Sequence, residues 1–223
     1  MRSGHGLVES MRYLLARTIV AGVLVGSISC GPGESPPGND EDRRSTGSVE
    51  TVATEPASEE LPAETDAVHL APYVTTPYPV IEIMLTLADV DPTDLVYDIG
   101  CGDGRIVIMA AQNFGARGVG IDIDPDMIAK SREIAEKVGV SDRVEFRLGD
   151  ATKMDLSEAT VVTIYLVPKS NAILRPQFDE QLRPGTYVVS HNYAIPGWEE
   201  KEIGYRDWTG VEGELHTIWA YRK

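Results

Sequence analysis

The sequence predicts an α/β fold: a doubly wound, mostly parallel seven-stranded sheet with an antiparallel edge, carried by residues 70–223. Three observations predict it. Short apolar runs alternate with segments of helical periodicity. The first run breaks into Asp98-Ile99-Gly100-Cys101-Gly102-Asp103-Gly104-Arg105, which reads as strand, tight turn and helix. The next two runs each end in an acid, Asp122 and Asp150, at the strand ends where parallel sheets bind ligands.

Each element follows in turn. After the proline-punctuated approach 69–77, Val80, Ile83, Met84 and Leu87 repeat at helical spacing, and Pro79 suits a first helical turn. Residues 94–99 form a strand apolar enough to be buried on both faces. Past the glycines, Ile106, Val107, Ala110 and Ala111 supply one helix face. A second strand starts at Gly118 and ends in acid, with Asp124 placed to cap the next helix, Pro125 at its first position and Ile128, Ile134 and Ala135 turned inward. Strands at 143–150 and 160–166 follow, then a helix that Ser170 is expected to cap, with Leu174, Phe178 and Leu182 at four-residue spacing. Pro184-Gly185 turns into a fifth strand at 186–190, and β-rich segments at 202–205 and 215–221 close the sheet as a hairpin-like pair.

Glycine tolerates positive φ and lets a ligand approach the backbone, so the G-x-G-x-G turn is expected to form a concave loop with free N–H groups. Its spacing differs from the G-x-G-x-x-G that cradles a dinucleotide pyrophosphate. Asp122 at the second strand's end is placed to accept both hydroxyls of a ribose, with Ile123 beside it, and Asp150 with Ala151 to meet an adenine edge. Taken alone, Asp122 also fits the ribose of a nicotinamide cofactor or a cap on the following turn. Cys101 suits a small space in the loop, and no Cys/His spacing suggests a metal site.

Asp98, Gly100, Gly102 and Gly104 together resemble the Asp/Glu-x-Gly-x-Gly-x-Gly motif of the class I S-adenosylmethionine-dependent methyltransferases. The resemblance covers about residues 72–223. It implies S-adenosyl-L-methionine as cofactor, ribose contact at Asp122 and adenine contact at Asp150. A narrower resemblance lies in Pro72-Tyr73-Val74-Thr75-Thr76-Pro77, Tyr165-Leu166-Val167-Pro168 and Ser190-His191-Asn192-Tyr193 followed by Trp198. These segments look like the family of the mitochondrial ATP synthase c-subunit lysine N-methyltransferase and its bacterial relatives. Thr75 departs from that family's usual Tyr-Val-Pro-Thr-Pro, where proline would fix φ.

The narrower resemblance implies N-methylation of a protein lysine. The methyl is already activated by the sulfonium, so the protein has mainly to align a neutral amine and exclude water. Tyr165 is the candidate to orient the amine and His191 to accept a proton or hydrogen-bond the substrate, because imidazole titrates near neutrality. Tyr73 and Trp198 are candidates to line a lysine channel by cation–π contact. A small-molecule methyltransferase, or a tethered cofactor-binding module without catalysis, are the alternatives.

Charge narrows the partners. Acids outnumber bases by 24 to 15 in residues 70–223, which argues against binding a nucleic-acid backbone, a task for clustered Lys and Arg. Residues 1–30 place Arg12 and Arg17 before an uncharged run ending in Ser27-Ile28-Ser29-Cys30, the layout of a secretory signal with a degenerate lipobox and Cys30 as the lipidated residue. The alternatives are a plain signal peptide on a secreted protein, or an over-extended start with Met11 as the true initiator and a cytoplasmic protein. Residues 31–69 carry ten acids and two bases with almost no large apolar side chain, the composition of a disordered tether. Export would separate a methyltransferase from its cytosolic cofactor, so the two expectations pull against each other.

Overall fold

The computed structural model describes residues 70–223; the expected signal at 1–30, including Cys30, and the tether at 31–69 lie outside the described residues. The order of elements is α1 (Tyr78–Leu87), β1 (Leu95–Ile99), α2 (Arg105–Phe114), β2 (Arg117–Asp122), α3 (Pro125–Lys137), β3 (Val144–Leu148), β4 (Val161–Ile164), α4 (Pro168–Gln181), β5 (Tyr187–His191), β6 (Glu202–Thr209) and β7 (Leu215–Arg222). They build one seven-stranded sheet in the order β3-β2-β1-β4-β5-β7-β6. The first five strands across are parallel, and β7 runs antiparallel between β5 and β6. The expected terminal hairpin forms, with its second strand inserted next to the parallel sheet. Among the described residues no helix is long and apolar enough to cross a membrane.

Alternation along each buried strand feeds two cores. Val96, Val161 and Val189 point to the face covered by α1, α2 and α3, where Val80, Met84, Val107 and Ile128 pack. Tyr97, Ile99, Val162, Ile164 and Val188 point to the face covered by α4, against Leu174 and Phe178. Burying each such side chain is worth about 1.5–3 kcal/mol, enough to fix the register of strands apolar on both faces. In α1 the fully buried set is Val80, Ile81, Met84 and Leu85, with Ile83 and Leu87 only partly covered, so the inward stripe is rotated from the expected one.

The helix after β4 also differs from expectation at its start. Pro168 opens α4 and Val167 is its cap residue, because a fixed φ and a missing N–H suit proline to the first helical position. Ser170 therefore sits inside the first turn, and its hydroxyl is spent on the backbone carbonyl of Leu70. That bond pins residues 70–76 across the carboxyl ends of the strands.

Between β1 and β4 the chain reverses its direction of travel across the sheet. A crevice opens at such a switch point, because the connections leaving the two strands go to opposite faces.

Candidate functional site

A cleft of about 450 Å³ occupies this crevice, in the size range of a small-ligand site. Its walls are the turn after β1, the ends of β2 and β4, the Gly149-Asp150-Ala151 turn after β3 and the strap 70–76.

The glycine turn is shaped by its own hydrogen bonds. Gly100, Gly102 and Gly104 all take positive φ, at 73°, 52° and 76°. The N–H groups of Gly100 and Cys101 both donate to the Ile121 carbonyl, at 2.9 and 3.0 Å, and lash the turn to β2. Gly102 N–H donates to Asp122 Oδ2 at 2.7 Å and Gly104 N–H to the Cys101 carbonyl at 2.9 Å. The expected free N–H groups are thus already committed, because the turn closes on β2 and on itself. Gly104 does not line the cleft; its Cα faces Phe146 and Ser131, where a Cβ would come within 2.5 and 2.8 Å. Gly102 lies beneath the ring of Tyr73, which a Cβ would approach to 2.4 Å.

Carboxylates dominate the walls. Asp98 is buried, and its Oδ1 accepts a 2.8 Å hydrogen bond from Thr163, its register partner on β4. Burial pushes its pKa up to about 7; the Thr163 bond opposes the rise, and the charges of Asp122 and Asp103 add to it. Asp122 ends β2 with Oδ1 accepting from Asp124 N–H at 3.0 Å and Oδ2 from Gly102. Two oxygens with spare lone pairs remain able to accept more. Asp124 caps α3 through Asp126 N–H, as its position predicted. Asp150 accepts from the backbone and hydroxyl of Thr152 at 2.9 and 2.7 Å, and Ile123 and Ala151 complete that wall.

Among the described lining residues, five aspartates face one cation, Arg105. That guanidinium is bound to Asp103 through both Nε and Nη2, at 2.8 and 2.6 Å, and donates to the Thr76 carbonyl at 3.2 Å. Burial raises the Asp103 pKa, but the hydrogen bonds from Arg105 outweigh it and hold the group below its ordinary value. A pyrophosphate would meet carboxylates with no uncommitted cation. A ligand carrying positive charge at its reactive end is favoured here, which separates this cleft from a dinucleotide site.

Tyr165, one residue past β4, lines the cleft, and its hydroxyl accepts from Asn192 Nδ2 at 3.2 Å. His191 does not reach the cleft. It is fully buried behind Tyr165, ring centroids 3.9 Å apart, with Nδ1 at 3.2 Å from Thr76 Oγ1 and Nε2 at 2.8 Å from His216 Nδ1. Burial, with His216 adding to it, lowers its pKa to about 3, so the ring stays neutral near pH 7. The expectation that His191 acts directly on substrate is therefore corrected: enclosure removes both its access and its basicity. Trp198 is likewise corrected. It packs in the second core against Phe178 and Tyr221 and donates to Asp179 Oδ1 at 3.0 Å, away from the cleft that Tyr73 lines. Cys101 lines the cleft floor, and burial first, then Asp98 and Asp122, pushes its thiol pKa well up, which suits packing and not reactivity.

Sequence reasoning missed Thr163, Arg105, Thr76 and Asn192. Arg105 was visible as the residue that ends the glycine motif. Thr163 emerges only from strand register, and Thr76 and Asn192 only from contacts between distant segments.

Comparison with known proteins agrees with this geometry. A family model described as the ANTKMT methyltransferase domain matches residues 98–202. A protein-lysine N-methyltransferase of Saccharolobus islandicus is 45% identical over 152 residues, spanning 67% of this chain and 92% of that protein. The ATP synthase c-subunit lysine N-methyltransferase of Mus musculus is 34% identical over 124 residues, 56% of this chain and 47% of that one. Among solved structures, an RNA methyltransferase from Salinibacter ruber in complex with S-adenosyl-L-homocysteine superposes with a TM-score of 0.61 at 53% identity, covering 67% of this chain and 93% of that chain.

Proposed function

The chain belongs to the S-adenosylmethionine-dependent methyltransferases of the ANTKMT-domain type, and from that premise we propose that it N-methylates a lysine side chain of a protein. The observation that carries the proposal is the likeness, over nearly the whole length of the relative, to a protein-lysine N-methyltransferase. The site's chemistry supports it. In this reading Asp122 takes the ribose hydroxyls, Asp150 and Ala151 the adenine edge, and Asp98 with Gly100 and Gly102 the methionine end, and all six line the cleft. The cofactor, when bound, supplies an electrophilic methyl on a cationic sulfonium, which the acidic walls favour.

Attack requires a neutral amine whose lone pair faces the methyl, so the protein must hold the amine by its N–H groups. Tyr165 is the side chain placed to do this, through its hydroxyl oxygen. The proton shed by the incoming ammonium does not go to His191, which is enclosed, and is assigned to solvent at the cleft mouth. Tyr165→Phe is expected to lower kcat about 10-fold, the value of one net hydrogen bond, while the cofactor dissociation constant stays within about two-fold. Steady-state kinetics beside calorimetry checks both. Unaltered turnover would remove Tyr165 from the mechanism.

Asp98 makes cofactor binding pH-dependent. With its pKa near 7 before binding, the carboxyl is mostly protonated below that pH and mostly charged above it. A cationic ligand favours the charged form, so affinity is expected to weaken as pH falls below 7, approaching a factor of about ten per unit. Titration from pH 7 to 5.5 keeps a free α-amino group, whose ordinary pKa is about 7.7–8.0, protonated throughout. Asp98→Asn should bind more weakly and with a flat profile, and an equal slope in both proteins would refute the assignment.

A second reading, RNA methylation, draws on the Salinibacter ruber likeness. The excess of acid over base in residues 70–223 and the engagement of Arg105 by Asp103 weigh against it. Incubation with methyl-labelled cofactor, a membrane protein extract and total RNA decides: methyl-lysine in a protein band is expected, and label confined to RNA or to small molecules would overturn the proposal. Export by a signal at 1–30, with a tether at 31–69, is a separate inference, since an exported domain would be parted from its cytosolic cofactor. Fractionation with mass spectrometry of the mature N-terminus tests it, and an unprocessed cytosolic chain would refute export.

A further inference from the structure

We propose that Asn192 is a positioning residue that fixes the hydroxyl of Tyr165 at the cleft wall; the inference rests on the amine-methylation reading above. Asn192 follows β5 directly and has φ of 64°, one of two non-glycine residues with positive φ among those described. That conformation is uncommon outside glycine, and asparagine is among the few residues that adopt it readily.

The backbone turn brings both ends of the residue onto one partner. Asn192 N–H donates to the Thr217 carbonyl at 2.7 Å, and Thr217 N–H donates back to Asn192 Oδ1 at 3.1 Å. Because a backbone N–H can only donate, the second bond fixes which side-chain atom is oxygen and so settles the orientation of the amide. Nδ2 is left facing Tyr165, 3.2 Å from its hydroxyl oxygen.

The other restraint on Tyr165 is its ring contact with His191, 3.9 Å between centroids. That tilted contact, 38° between the ring planes, limits how the ring can turn. The Asn192 bond sets the remaining freedom, the in-plane position of the oxygen and the direction left to its own O–H and lone pair. The enclosed His191, neutral between Thr76 and His216, then has a role that its burial permits: it is the surface on which Tyr165 rests. A β5–β7 corner thereby controls a group at the end of β4.

Asn192→Gly tests this with little backbone strain, since glycine adopts the left-handed region freely and removes the donor to Tyr165, whereas an aspartate would accept the Tyr165 O–H and keep the two groups joined. Using the full chain, labelled S-adenosylmethionine and poly-L-lysine as acceptor, kcat is expected to fall about 10-fold with the KM for cofactor within about two-fold. In the Tyr165→Phe background the same change should have no further effect. Equal losses in both backgrounds, or no loss in either, would overturn the proposal. The hydrogen bond itself is read without any acceptor: the side-chain amide resonances of 15N-labelled Asn192 should shift in Tyr165→Phe, and unmoved resonances would overturn the inference. Failure of the wild type to label poly-L-lysine or any protein would instead refute the lysine reading and leave the resonance test standing.

Discussion

Asp122→Ala is expected to raise the dissociation constant for S-adenosylmethionine about 100-fold. Two hydrogen bonds to a charged acceptor, each worth roughly 1.5 kcal/mol or more, account for about 3 kcal/mol, which is that factor. The same carboxylate has a second task, since it receives Gly102 N–H at 2.7 Å and Asp124 N–H at 3.0 Å. Its loss therefore removes the proposed ribose partner and one of the three hydrogen bonds that hold the glycine turn to β2, those to the Ile121 carbonyl remaining. Asp122→Asn, which keeps one acceptor oxygen, should fall between the two proteins. Calorimetry on the full chain measures all three, and an alanine variant within about three-fold of wild type would sink the assignment of this cleft as the cofactor site.

The second large effect separates glycines that look alike. Gly104→Ala is expected to destabilise the fold by about 3 kcal/mol, lowering Tm by about 10 °C in a domain of this size. A Cβ there would stand 2.5 Å from Phe146 Cε1 and 2.8 Å from Ser131 Cβ, both of them buried, at a φ of 76° that already disfavours alanine. Neither neighbour can withdraw without opening the packing between α3 and the sheet. Gly102→Ala carries a similar left-handed strain, about 1–2 kcal/mol, but its Cβ meets the ring of Tyr73, a half-exposed residue of the strap. That ring can move. The expected result for Gly102→Ala is weakened cofactor binding with a Tm loss roughly one to two thirds that of Gly104→Ala. Equal Tm losses with unchanged binding would show that the two positions are not distinguished in this way.

The cleft's charge bears on cofactor choice as well as affinity. Five aspartates against one paired arginine make a poor site for pyrophosphate and a good one for a sulfonium and an ammonium. This is the physical content behind the G-x-G-x-G spacing: the amides of Gly100, Cys101 and Gly102 hold the turn to β2 and that of Gly104 closes the turn on itself, so carboxylates set the charge of the cleft around it.

Much of this was legible in the sequence, and for a reason. Strand and helix identity, the turn at Gly100-Cys101-Gly102 and the start of α3, with Asp124 as cap and Pro125 at its first position, depend on residues near one another in the chain, where periodicity, positive φ and capping act. The acids at strand ends were legible because parallel strands deliver their carboxyl ends to one edge, whatever their order. Legibility stopped where two segments far apart had to be brought together. Nothing local says that Thr163 stands beside Asp98, that Thr76 meets His191 across 115 positions, or that Trp198 is core and Tyr73 is cleft. His191 looked like a base because imidazole is one in water; enclosure between Thr76, His216 and Tyr165 takes the water away and with it the basicity.

By itself, then, the sequence determined the fold class, the cofactor class and that Asp98, Asp122 and Asp150 lie at the carboxyl edge of the sheet, because these follow from local backbone preference, a recognisable motif and the shared polarity of parallel strands. Tertiary structure alone decided which of those groups line the cleft, which are locked in packing and how the Asp98 proton is held, because burial and hydrogen-bond partners are set by strand order and register, and a linear pattern does not contain them.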